Sequence, residues 1–66
     1  MITEIGITAG DIWHFLDQNH SCTLSDLVAG IGRPRDLVLM SLGWLAREGH
    51  VVVEGEGELS ISLRKT

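Results

Sequence analysis

After Gly49 the apolar side chains of this chain stop recurring at helical spacing and begin to alternate, so any fold it adopts must be helical first and end in a sheet. Val51-Val52-Val53 reads as a strand, and Gly55-Glu56-Gly57 as a loop of permissive backbone. Leu59, Ile61 and Leu63 then alternate with Glu58, Ser60, Ser62 and Arg64 as a half-buried return strand. The two strands form a hairpin.

Upstream of Gly49, three segments carry helical stripes. The first runs from about Thr8 to Asn19, with Ala9, Ile12, Trp13 and Leu16 on one side and Trp13 expected to anchor the core against the third helix. Thr8 and Asp11, three apart, have the spacing of a capping box. Asn19-His20-Ser21 breaks the pattern, and Cys22-Thr23 is at most a very short strand or an extended link. Thr23 is placed to cap a second helix with Asp26 three residues on. That helix turns Leu24, Leu27, Val28 and Ile31 inward, and Gly30 and Gly32 are read as the flexible backbone that ends it. After a tight turn at Gly32-Arg33, Pro34 suits the first position of a third helix, whose inward stripe is Val38, Leu42 and Leu45 and whose end is Glu48-Gly49.

The chain has 66 residues and no internal repeat or linker, so it is expected to be a single domain over 1–66. A domain of this size buries only about 60% of the surface its unfolded chain exposes. Cys22 is the lone cysteine, which rules out an internal disulfide and fits a reducing cytoplasm. Met1-Ile2-Thr3-Glu4-Ile5-Gly6 has no basic residue and no apolar run of signal-peptide length, and no apolar stretch approaches about 18 residues. The expectation is a cytoplasmic protein without membrane contact.

Two short helices joined by a glycine-containing turn, the second leading into a hairpin, is the order of a helix-turn-helix with a wing appended. Thr23-Leu24-Ser25-Asp26-Leu27 through Gly32, then Pro34 to Leu45, then Glu48-Gly49-His50-Val51, resembles the core pattern of winged-helix regulators. More narrowly, Leu42-Gly43-Trp44-Leu45-Ala46-Arg47-Glu48-Gly49 resembles the hallmark of a family of very short bacterial and archaeal winged-helix proteins of unknown function. The resemblance implies an α+β winged helix-turn-helix fold, with three helices and a C-terminal two-stranded wing. It is compatible with a homodimer and brings no established activity.

A DNA-reading winged helix places polar side chains on the outer face of its third helix and basic ones on its wing. With Val38, Leu42 and Leu45 inward, the 100° step per residue puts Asp36, Met40, Gly43 and Arg47 outward, flanked by Leu37, Leu39 and Trp44. Glu54, Glu56 and Glu58 surround the wing tip, and five basic against nine acidic side chains give a formal charge of −4. Phosphates would be repelled there. Only Arg33 and Arg35, at the positive end of the third helix, suit phosphate contact. The competing reading of these arginines is that they solvate an exposed turn or pair with Asp36 and Asp26.

No nucleophile-and-base motif is present, and Gly55-Glu56-Gly57 lacks the Lys and Ser or Thr of a phosphate-binding loop. His14, His20 and Cys22 lie close in sequence, but no fourth ligand is evident and their spacing matches no zinc pattern. The expectation is therefore a non-enzymatic module without metal, cofactor or small-molecule substrate. Leu37, Leu39, Met40 and Trp44 are its candidate contact with protein, a second copy of itself included, unless the three flanking residues pack beneath the first helix or the wing. A DNA-binding transcription regulator acting through Arg33 and Arg35 is the alternative.

Overall fold

The computed structural model describes residues 1–64; residues 65–66, the end of the expected 1–66 unit, lie outside the described residues. Its elements are α1 (Ile2–Asn19), β1 (Ser21–Thr23), α2 (Leu24–Ile31), α3 (Arg35–Arg47), β2 (Val51–Glu54) and β3 (Ser60–Leu63). This is the three-helix winged arrangement the sequence implies, with one strand more than the expected two.

α1 begins at Ile2 rather than Thr8. Ile5 precedes Thr8, Ala9, Ile12 and Leu16 at spacings of three and four, so the stripe continues upstream of the expected start. Gly6 and Gly10 obscure it, because glycine is a poor helix former. The Thr8–Asp11 capping box does not form. Thr8 sits inside the helix with its side chain fully enclosed and its hydroxyl unpartnered, while Asp11 bonds elsewhere. Trp13 is exposed rather than a core anchor, since Ile12 and Leu16 already fill the inward positions around it.

His20 closes α1 at φ 64°, its N–H donating to the Leu16 carbonyl at 2.7 Å. Ser21–Thr23 then pairs antiparallel with β3, setting Cys22 opposite Ile61, and β3 pairs on its other edge with β2. The sheet order is thus β1-β3-β2. A three-residue strand whose partner lies far downstream leaves no periodic signature, which is why Cys22-Thr23 resembles a link in the sequence.

Thr23 caps α2 as its spacing suggests, its hydroxyl accepting from the Asp26 N–H at 3.1 Å. Gly32, at φ 72°, supplies the left-handed cap that ends α2. Gly30 has a different role from the one expected of it. It lies within α2, and a Cβ there would run into the Phe15 ring, so its bare backbone lets α2 approach α1. α3 starts one residue later than expected, at Arg35, with Pro34 as its N-cap.

The core joins all the long elements. Ile12 and Leu16 of α1, Leu27 of α2, Val38 of α3 and Ile61 of β3 are wholly enclosed, and Ala9, Leu42, Leu45 and Val51 complete the cluster. Phe15, Cys22, Leu24, Val28, Ile31, Leu59 and Leu63 pack around its edge. Each large enclosed side chain contributes about 1.5–3 kcal/mol relative to exposure.

Two outcomes follow from this packing. Thr8→Val keeps the shape and removes the unpartnered hydroxyl, so it should stabilise the fold by about 1 kcal/mol, read as a higher urea midpoint at unchanged slope. Burial, and secondarily the negative charge of Asp26, push the Cys22 thiol above its ordinary pKa. The raised value favours the protonated thiol in the folded state, a contribution present below the unfolded pKa and lost as pH rises through the folded one. Iodoacetamide at pH 8 should therefore alkylate Cys22 more slowly in the folded chain than in urea, because the thiolate is the nucleophile.

Candidate protein-contact surface

α3 divides its side chains sharply between two environments. Val38, Leu42 and Leu45 enter the core, joined by Ser41, whose hydroxyl is buried and donates to the Leu37 carbonyl at 2.8 Å. Ser41 thereby satisfies itself within its own helix and leaves no polar group at the α3 packing surface. On the opposite side Asp36, Met40, Gly43 and Arg47 are all exposed.

Leu39 is 38% exposed, Met40 43% and Trp44 48%, while Leu37 is half-buried on the Trp44 side of the helix. The wing and α1 therefore leave Leu39 and Trp44 uncovered. Trp44 leans toward the turn into the wing, its ring 6.5 Å from that of His50 and tilted by 44°.

The first turns of α1 extend this surface. Ile2, Ile5 and Gly6 form with Trp44 an apolar cleft of about 350 Å³. Ile2 is 88% exposed, with no neighbour to cover it. At 100° per residue, Ile2, Gly6 and Trp13 share one side of α1, and the exposed Trp13 meets His14 edge-on at 5.6 Å between ring centroids. Sequence reasoning missed Ile2, Ile5 and Gly6 because it left them outside the helix. The signal that could have found them is the continuation of the stripe through Ile5.

The two arginines before and at the start of α3 have different surroundings. Arg33 Nε donates to Asp11 Oδ2 at 2.8 Å, a half-exposed ion pair joining the turn before α3 to the middle of α1. Its partner is neither Asp36 nor Asp26. Arg35 is exposed, and among the described residues it has no carboxylate within ion-pair distance. Glu54, Glu56 and Glu58 are exposed along the wing. The wing loop turns through Gly55 at φ 109° and Gly57 at φ 79°, which explains its glycines without a bound anion.

Among the described residues no three His, Cys, Asp or Glu side chains are grouped so that they could hold a metal ion. His14 and His20 are exposed, on α1 and at its end, while Cys22 is partly buried on β1. No helix among them is long and apolar enough to cross a membrane.

No curated protein matches the chain. Its fold is similar to the solution NMR structure of protein BT2368 from Bacteroides thetaiotaomicron, with a TM-score of 0.80 and 29% identity, covering 92% of this chain and 76% of that one. It is also similar to the Zalpha domain from Carassius auratus PKZ, whose crystal structure is of a complex with Z-DNA. There the TM-score is 0.82 and the identity 23%, covering 91% of this chain and 97% of that one. A family model, the winged helix-turn-helix domain DUF2582, matches residues 1–63, and the chain belongs to that family.

Proposed function

We propose that this chain, acting as one cytoplasmic domain, is a non-enzymatic module that uses its third helix to contact protein, a second copy of itself included. The observation that carries this reading is the outward side of α3. Leu39, Met40 and Trp44 are exposed together where a DNA-reading helix needs polar side chains that reach base edges. Around them the chemistry disfavours phosphate. The wing presents Glu54, Glu56 and Glu58, and the Arg33 charge is already offset by Asp11.

The second reading, a DNA-binding transcription regulator, is favoured by one feature, the exposed Arg35 in the first turn of α3, which has no ion-pair partner among the described residues. A phosphate there would meet both a guanidinium and the positive end of the helix dipole. The similarity to a Z-DNA-binding domain adds the shared fold to that argument, and a fold hosts several functions.

One pair of experiments separates the readings. Random-sequence duplex DNA titrated into the protein at low and moderate salt should give no binding. Salt-sensitive binding that Arg33→Ala with Arg35→Ala removes would establish the regulator instead. Met40→Glu should leave the circular dichroism spectrum unchanged while reducing the apparent mass by light scattering, and an apparent mass that does not move would exclude Met40 from a self-contact.

A further inference from the structure

Independently of α3, we infer that the outer edge of β2 is a second docking site, and that its occupant is an extended segment of another protein whose side chains alternate between basic and apolar. The segment joins the three-stranded sheet as a further strand beside β2.

The backbone makes the first part of the case. In the order β1-β3-β2, the outer side of β2 has no strand next to it. The Arg64 N–H donates to the His50 carbonyl at 2.9 Å, which makes His50 and Arg64 a hydrogen-bonded pair of the antiparallel ladder. By alternation, Val52 with Ser62 and Glu54 with Ser60 are the next such pairs, so Val51 and Val53 aim their N–H and C=O groups away from β3. Among the described residues no hydrogen bond takes up those groups. Open edges are commonly blunted by proline, lysine or a bulge. β2 has neither residue, and its register runs unbroken from Val51 opposite Leu63 to Glu54 opposite Ser60. The other edge is less open, because β1 has three residues, with α1 before it and α2 directly after it. A row of unpaired donors and acceptors selects an extended backbone as its partner.

The side chains along this edge select the chemistry of that partner. Val53 shares a face of the sheet with the buried Val51, yet it is 37% exposed. Glu54 is exposed on the opposite face, and β2 runs from it into the loop that carries the exposed Glu56 and Glu58. None of these carboxylates has a cation within ion-pair distance among the described residues. Arg64 stands opposite His50, at the far end of β2 from Glu54. A strand laid along β2 sets its side chains directly opposite these, where unlike charges attract and like charges repel. Lysine or arginine therefore suits the Glu54 face and an apolar side chain the Val53 face.

The test is a titration of the isotope-labelled chain with a short capped peptide alternating lysine and valine, followed by amide chemical shifts and hydrogen exchange. One control peptide alternates glutamate and valine. The other is the lysine–valine peptide N-methylated at every residue, which keeps the charge and removes every backbone donor. Val53→Pro removes an outward N–H that β3 does not use, and Glu54→Lys reverses a charge at an exposed position. The expected result is shifts centred on Val51–Gly55 and at least tenfold slower exchange of the Val53 N–H on binding. Each variant should weaken the dissociation constant at least tenfold, and neither control should bind. If Val53→Pro unfolds, as urea titration would show, Glu54→Lys and the N-methylated peptide carry the same test. Met40→Glu should bind the peptide as the natural chain does, which separates this edge from the α3 surface. Equal binding of the N-methylated peptide would mean attraction by charge alone and overturn strand addition. Equal binding of the glutamate peptide would overturn the basic occupant. Shifts at Val51–Gly55 produced by concentrating the protein alone would assign the edge to a second copy instead, and no shift there at millimolar peptide would overturn the site.

Discussion

The packing of α1 against α3 is the constraint on which the other elements depend. Ile12 and Leu16 from α1 and Val38, Leu42 and Leu45 from α3 occupy the same interior, and α2 and the sheet close it with Leu27, Ile61 and Val51. In a chain of 66 residues there is no second layer to share the burial. Gly30 lets α2 close against the same helix, α1, since even one methyl group there would displace the Phe15 ring. The short β1 strand serves the same packing, because its pairing with β3 holds Cys22 beside Ile61 at the edge of the core.

Once both helices commit one side to that interior, their remaining sides are fixed and must face solvent unless something covers them. On α3 those sides carry Leu39, Met40 and Trp44, and on α1 they carry Ile2 and Trp13. Scattered exposed apolar residues are ordinary on any protein. Here Ile2 and Trp44 lie on adjoining helices and line one apolar cleft with Ile5 and Gly6. The cations are few, and Arg33 is engaged by Asp11. A surface of this composition suits contact with another apolar surface better than contact with a polyanion.

Much of the fold was legible in the sequence because it rests on local periodicity. The inward positions of α2 and α3, the Thr23 cap, the Gly32 stop and the switch to strands after Gly49 follow from spacing and turn chemistry. The unread parts depend on contacts distant in sequence. Neither the pairing of Ser21–Thr23 with β3 nor the partner of Arg33 can be seen in the residues beside them. Thr8 misled for a related reason. A threonine three residues before an aspartate suggests a cap, yet its methyl group suits the inner face of a longer helix and the hydroxyl is left unpaired. That misplaced start hid Ile2, Ile5 and Gly6 as well, so only the α3 half of the candidate surface was visible. Trp13 shows that helical position outweighs residue type, because a large aromatic beside Ile12 still turns away from the core.

The central claim is that the outward side of α3, with the adjoining flank of α1, is an apolar contact surface for protein. Amide chemical shifts of the isotope-labelled chain, followed through a dilution series and then on adding duplex DNA, test it most directly. The account predicts dilution-dependent shifts at Met40, Trp44 and Ile2–Gly6, the rest of the spectrum holding still and DNA having no effect. A spectrum that ignores dilution but shifts at Arg35 and along the wing when DNA is added would contradict it.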